Sequence, residues 1–237
     1  MLTFSHDNLF FNAMKQAVSL SHTLSSEITE TLRDAIITGE IAQGSKLSEN
    51  KLAEQMDVSR GPLREAIRML EGMNLVHHVP QQGARVVELS LQFILQIYDA
   101  REALESKAVA LAAQNMTSSE IDQLHRLIDA QVKHLTENSG VFIPAESDYA
   151  FHEEVIRGSK NKVIEHALLH EIYNLIKMFR YQNKEARTSG TNALIEHRQV
   201  LYAIEQRDSV LAEITMRRHI VHAREKINRR MLERKNK

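Results

Sequence analysis

The chain is expected to be mainly α-helical, with an N-terminal winged helix-turn-helix followed by an all-α helical bundle. Two observations lead there. The 237 residues include only 3 Pro and 8 Gly, and aromatics are 5% with no Trp, so helix breakers and strand formers are both scarce. Apolar residues recur at 3-, 4- and 7-residue steps from about Thr23 onward, and strand-like runs occur only around residues 75–87. An apolar fraction of 43% is enough for a sizeable core.

Residues 1–21 form an extension holding Phe4, Phe10 and Phe11, three of the seven Phe; such a concentration is expected to pack on a domain or a second subunit. A first helix carries Ile28, Leu32, Ala35 and Ile36, with Ser25 or Ser26 as cap and Gly39 near its end. Ser48 opens a short second helix with Leu52, Ala53 and Met56 facing inward, and Met56-Asp57-Val58 makes a tight turn. The third helix follows. It places Leu63, Ala66, Ile67 and Leu70 on one stripe and Arg60, Arg64 and Arg68 on a neighbouring arc, with Ser59 offering a cap oxygen and Pro62 in the first turn. Two helices joined by a tight turn, the second rich in arginine, suit insertion into a DNA major groove. Asn74 can take the left-handed conformation that ends a helix, and Leu75–Val79 and Ala84–Val87 are strand candidates around a turn containing Gly83. Such a wing brings Gln82, Gly83 and Arg85 toward phosphates.

After a short linker at 88–90 the pattern is helical throughout. Ile97, Ala100, Leu104, Ala108 and Leu111 mark one face of a long helix running to Asn115. Further helices are expected from Ser118 or Ser119 to Thr136, then over 145–158, 161–181, 192–205 and 209–234, with Gly140 and Pro144 breaking an intervening loop. The domain division is thus 1–21 extension, 22–88 winged helix-turn-helix, 91–232 helical domain and 233–237 basic tail.

Composition narrows the function classes. There is no Cys, which excludes disulfides, zinc fingers and thiol catalysis. No apolar run approaches the roughly 20 residues of a membrane span. Asp7, Asn8, Asn12 and Lys15 interrupt the first twenty residues, so no signal peptide is expected and the cytoplasm is the expected location. The net charge of −1 gives no support to a general polyanion binder but leaves room for a local arginine footprint.

In the helical half, Asp148 and His152 lie one turn apart, so both can serve one cation, and His197 and His219 come from later helices. An Asp-His-His-His set suits Zn²⁺, Ni²⁺, Mn²⁺ or Fe²⁺. Twelve histidines also yield other pairs, including His166/His170 and His219/His222, and spacing alone does not choose among them.

The run Leu47-Ser48-Glu49, Leu52-Ala53, Val58-Ser59-Arg60-x-Pro62-Leu63-Arg64-Glu65-Ala66 and Pro80-x-x-Gly83-Ala84-x-Val86 resembles the winged helix of the GntR family of bacterial transcription regulators. The resemblance implies that Ser59, Arg60 and Arg64 contact operator DNA and that the wing glycine lies on the backbone. The DNA-binding set is then Ser48, Ser59, Arg60, Gly61, Arg64, Gln82, Gly83 and Arg85. Three positions depart from the family pattern. Gln43 stands where Pro is usual, Asn74 replaces a common Gly, and Asn50 falls where some members carry an operator-contacting Arg.

The second half is similar to the FCD ligand-binding domain through Asp99-Ala100-Arg101-x-x-Leu104-Glu105, Asp148-x-x-x-His152, Glu196-His197-Arg198 and Met216-Arg217-Arg218-His219. That resemblance implies a divalent metal, Zn²⁺ foremost, held by Asp148, His152, His197 and His219. His166 and His170 match no ligand position, and His222 could support or replace a ligand. The resemblance also implies a small-molecule effector beside the metal, an organic acid in many such regulators, with Arg101 placed to grip a carboxylate. The expected protein is a homodimeric repressor that reads a pseudo-palindromic DNA duplex and has no membrane role. A metal-dependent hydrolase using the Asp/His cluster is the alternative; Glu153, about 100° round the helix from His152, is a poor base for it.

Overall fold

The computed structural model describes residues 23–137, 146–183 and 190–235. The Phe-rich extension, the loop with Gly140 and Pro144, and the side chain of Asp148 lie outside the described residues. The chain divides into two compact units at Glu88/Leu89. No described helix is long and apolar enough to cross a membrane.

The first unit contains α1 (Leu24–Thr38), α2 (Glu49–Met56), α3 (Arg60–Gly72), β1 (Val76–Val79) and β2 (Gly83–Val86). Thr23, rather than Ser25 or Ser26, caps α1. Its Oγ1 accepts the Ser26 N–H at 3.3 Å and its carbonyl accepts the Glu27 N–H at 3.2 Å, which places both serines inside the first turn. Gly39, at φ 89°, closes the helix. The α2–α3 turn depends on Asp57 at φ 54°. A short polar side chain tolerates that left-handed conformation.

α3 buries Leu63, Ala66, Ile67 and Leu70, the expected stripe, against α1. Together with Ile28, Leu32, Ile36, Leu75 and Val86 they make the core of this unit. Leu52, Ala53 and Met56 are only half-buried, since α2 is short and rests on α3 at the rim. After Asn74, at φ 58°, β1 and β2 pair antiparallel from Val76↔Val86 to Val79↔Gly83. The connecting turn carries Gln81 at φ 63° and Gly83 at φ 88°. The segment before α2 joins the hairpin's free edge, where Leu47 N–H donates to Ala84 O at 2.9 Å.

The second unit contains α4 (Leu91–Asn115), α5 (Ser118–Glu137), α6 (Glu146–Gly158), α7 (Lys162–Glu165), a π-helical segment π1 (His166–Ile172), α8 (Tyr173–Gln182), α9 (Gly190–Glu205) and α10 (Ser209–Lys235). α4 packs on α6, α9 and α10; α5 bridges α6 and α9; and α9 packs on α10, which closes a bundle. The single helix expected over 161–181 is interrupted by π1. Asn161 caps its start, with Oδ1 accepting the N–H groups of Val163 and Ile164 at 3.1 Å each.

The buried face of α4 differs from the expected one. Ala100 is exposed and Leu104 and Leu111 are intermediate, while Tyr98, Arg101 and Glu105 are buried beside Ile94, Ile97 and Ala108. A hydrophobic pattern misplaces this face because the two charged residues neutralise each other inside the bundle.

α5 begins with a reciprocal cap. Thr117 Oγ1 accepts the Glu120 N–H at 3.3 Å, and Glu120 Oε2 accepts the Thr117 N–H at 2.8 Å. Lys160 also binds Glu120. These hydrogen bonds, the one from Lys160 foremost, lower the Glu120 pKa from 4.5 to about 2. Gln keeps the acceptor oxygen of the cap and removes only the charge facing Lys160, so Glu120→Gln should cost about 0.5 kcal/mol at neutral pH, the scale of a partly exposed ion pair. The carboxylate's stabilisation is complete above pH 4.5 and is lost as pH falls toward 2. Denaturant unfolding of the two proteins should thus show their difference closing over that range.

Candidate metal centre and candidate nucleic-acid interface

In the helical unit, His152 of α6, His197 of α9 and His219 of α10 meet in the bundle interior, all buried. Their Nε2 atoms form a triangle with sides of 3.2, 3.2 and 3.3 Å. Each Nδ1 faces an acceptor oxygen: Glu105 Oε2 at 2.7 Å from His152, Gln131 Oε1 at 2.9 Å from His197, and Glu196 Oε2 at 2.8 Å from His219. A ring that donates from Nδ1 and is neutral presents a lone pair at Nε2. His197 is held neutral: burial foremost, with His219 and His152 beside it, pushes its pKa well below the ordinary imidazole range.

Three converging lone pairs repel one another unless a cation lies among them. A tetrahedral ion with bonds of ~2.0–2.1 Å requires N···N separations of about 3.3–3.4 Å, which this triangle supplies. The outer oxygens fix tautomer and ring direction, as supporting residues do in metal sites. The three imidazoles therefore fit a divalent metal. Asp148 lies one helical turn before His152 on α6, and its side chain lies outside the described residues.

The histidines sit within a wider buried polar chain. Arg101 Nε donates to Glu105 Oε1 at 2.6 Å, and its Nη2 donates to the Tyr173 hydroxyl at 3.4 Å. Burial disfavours charge on Glu105, but Arg101 and His152 offset it and hold the carboxyl well below the usual range. The buried Arg180 of α8 donates to the Tyr98 hydroxyl at 3.0 Å. Arg101 is thus already engaged with Glu105, which qualifies the expectation that it is open to grip a carboxylate. Its Nη1 carries no hydrogen bond among the described residues.

His222 is exposed and donates to the other oxygen of Glu196 at 2.7 Å, so it supports His219 from outside. His166 and His170 lie exposed on π1 and are not part of the triangle. Gln131 and Arg180 carried no sequence signal. Glu196 stood in a quoted motif without an assigned role, and Glu105 only as a residue spaced one turn from Arg101 for an ion pair, which the structure contains.

In the first unit the expected DNA-binding residues lie around one open face. Ser59, Arg60, Gly61 and Arg64 are exposed along the start of α3. Ser59 occupies the cap position, but its hydroxyl makes no capping hydrogen bond; the expected capping role is absent, and the helix start is left open to an outside acceptor. A groove of about 470 Å³ separates α3 from the wing turn, lined by Ser48, Arg64, Arg68, Gln82 and Gly83. Lys46, Asn50 and His78 line it too and were not in the expected set. Arg85 points elsewhere: its Nη1 donates to the Gly44 carbonyl at 2.8 Å, tying the wing to the preceding turn. Arg64 Nε and Nη2 both face Glu49 Oε2, at 3.4 and 3.2 Å.

Comparison with known proteins agrees with both halves. Residues 24–86 match the model of bacterial regulatory proteins of the gntR family, and residues 96–222 match that of the FCD domain. The chain is 28% identical over 193 residues to the gluconate operon transcriptional repressor of Bacillus subtilis, covering 76% of this chain and 75% of that one. It is 26% identical over 201 residues to a probable D-xylose utilization operon transcriptional repressor of Paenarthrobacter nicotinovorans, covering 84% and 86%. The fold is shared with E. coli McbR/YncC, at a TM-score of 0.69 and 20% identity over 91% of this chain and all of that one. A putative GntR regulator from Rhodococcus sp. RHA1 shares it at 0.67 and 22%, over 86% and 96%. These relatives are transcriptional regulators and not enzymes, and the hydrolase alternative has no counterpart among them. The chain belongs to the GntR family of bacterial transcriptional regulators, with an FCD domain as its helical half.

Proposed function

We propose that the protein is a homodimeric repressor whose operator affinity is set by a small anionic effector bound beside a divalent metal, Zn²⁺ foremost. The convergence of three Nε2 atoms next to buried arginines carries this reading. His152, His197 and His219 would hold the metal, with Asp148 as a further ligand one turn before His152. A bound ion supplies a fixed positive charge that can take one oxygen of a carboxylate. Arg101 supports the same ligand chemistry: through Nη1 it can donate to a carboxylate while Glu105 holds its Nε edge. Glu105, Gln131 and Glu196 keep the imidazoles aimed inward.

DNA is read by the start of α3. Arg60 and Arg64 address base edges, Ser48, Ser59 and Gly61 address phosphate, and Gln82 and Gly83 form the wing contact, while Arg85 braces the wing against the Gly44 carbonyl instead of reaching DNA. Control follows from linkage. An effector that binds better to a DNA-incompetent arrangement of the dimer lowers operator affinity by the same factor that DNA lowers its own.

Selection of bound fragments from a genomic library tests the reading. The expected result is an inverted repeat bound in a salt-sensitive manner and released by one of a panel of small organic acids. Absence of enrichment, even of the protein's own promoter, would overturn it.

A further inference from the structure

We infer that Glu49 is a specificity-determining residue: its carboxylate positions Arg64 for base reading and withholds it from phosphates on non-matching DNA. This rests on the assignment of Arg64 as a DNA contact.

The geometry is specific. Arg64 presents Nε and Nη2 to a single oxygen, Glu49 Oε2, at 3.4 and 3.2 Å. One edge of the planar guanidinium is thereby occupied. The donors left over, on Nη1 and the outer side of Nη2, form the end-on fork that matches O6 and N7 of guanine. Glu49 opens α2 and Arg64 lies one turn into α3, so the pair also spans the two helices of the motif. Both residues line the groove between α3 and the wing turn, in which the other carboxylate, Glu71, lies toward His78 at 3.9 Å.

Among the described residues, neither Arg68 nor Arg85 shares this oxygen. Arg68 faces Glu65, with Nη1 to Oε2 at 3.7 Å, and Arg85 faces the Gly44 carbonyl. Both partners are more than a third exposed, at 57% for Arg64 and 38% for Glu49, so their ion pair does little for the fold.

On a matching site Arg64 keeps Glu49 on one edge and takes the base on the other. On a non-matching site no acceptor pair meets the fork. Arg64 must then either leave Glu49 for a phosphate, stranding a carboxylate against DNA, or stay and contribute nothing. Either way non-specific binding loses more than specific binding does.

The full-length wild-type protein, Glu49→Gln, Glu49→Asp, Arg64→Ala and the double Glu49→Gln/Arg64→Ala variant can be compared on the selected operator duplex and on an unrelated duplex of equal length. Binding is measured across a salt series, with thermal unfolding confirming the fold. Gln keeps the shape of Glu and removes only the charge. Glu49→Gln is expected to bind the unrelated duplex several-fold more tightly and to lose about tenfold in the operator-to-unrelated ratio. Its salt slope on unrelated DNA should steepen by about one, the mark of one new phosphate contact. Glu49→Asp, which restores the charge, should recover part of the ratio, and in the Arg64→Ala background Glu49→Gln should have no further effect on it. An unchanged ratio in Glu49→Gln, or an equal effect with Arg64 absent, overturns the inference alone. Wild-type operator binding by Arg64→Ala overturns the DNA-contact assignment beneath it as well.

Discussion

Replacing both Arg60 and Arg64 by alanine is expected to lower operator affinity by about three orders of magnitude and to leave the fold intact. Each well-placed bidentate arginine contributes ~1–3 kcal/mol of base discrimination, so two of them account for a loss on that scale. The fold should survive because the two roles of α3 lie on different faces. Leu63, Ala66, Ile67 and Leu70 are buried in the core, while Arg60 and Arg64 are exposed. The only described ion pair lost with them is the one between Arg64 and Glu49. Fluorescence anisotropy at fixed salt, with circular dichroism and thermal unfolding as controls, measures both halves of the claim. A folded double variant that binds DNA as the wild type does would show that α3 is not the reading element.

The second large effect concerns the histidines. Gently purified protein is expected to carry close to one divalent metal per chain by elemental analysis. His197→Ala should bring this near zero and lower the thermal midpoint by about 10 °C. That figure follows from linkage: a ligand present at ~1,000 times its Kd stabilises by ~4 kcal/mol, and ~1 kcal/mol moves the midpoint of a chain of this size by about 2–4 °C. Removing metal from the wild type with a chelator should reproduce most of the shift, and adding Zn²⁺ should restore it. His197→Ala should respond to neither treatment. His222→Ala is the contrast, since that ring is exposed and touches only the outer side of Glu196; its metal content should stay near the wild-type level. A native protein free of metal, with a midpoint indifferent to chelator and Zn²⁺, would contradict the assignment.

Legibility in the sequence followed from whether the governing physics was local. The α3 stripe, the tight turn at Asp57, the left-handed Asn74 and Gly39 at the end of α1 all depend on residues within a turn or two. The hairpin follows from two short valine-containing runs around Gly83, and its register is set only by the pairing itself. The inner face of α4 was not legible. Arg101 and Glu105 look like an exposed i, i+4 pair until α6, α8 and α9 close over them, and only then does their mutual charge justify burial. π1 was likewise invisible, because one residue absorbed into a wider turn leaves no mark on composition.

The candidate site divides along the same line. Spacing along the chain could join Asp148 to His152, and resemblance to a family added His197 and His219. Nothing in twelve histidines distinguishes those three from the rest on their own. Gln131, on α5, and Arg180, on α8, reach the site only through the packing of the bundle. The Glu49–Arg64 pair, fifteen positions apart, exists only because the turn at Asp57 folds α2 onto α3.

By itself the sequence determined the helical class, the arginine helix and its apolar stripe, because periodicity and capping act within a few residues. The tertiary structure decided which charges are buried, which three imidazoles converge, and which edge of Arg64 is left for DNA. Those outcomes depend on separations of about 3 Å between atoms far apart in the chain, and only the packing of one helix on another sets such distances.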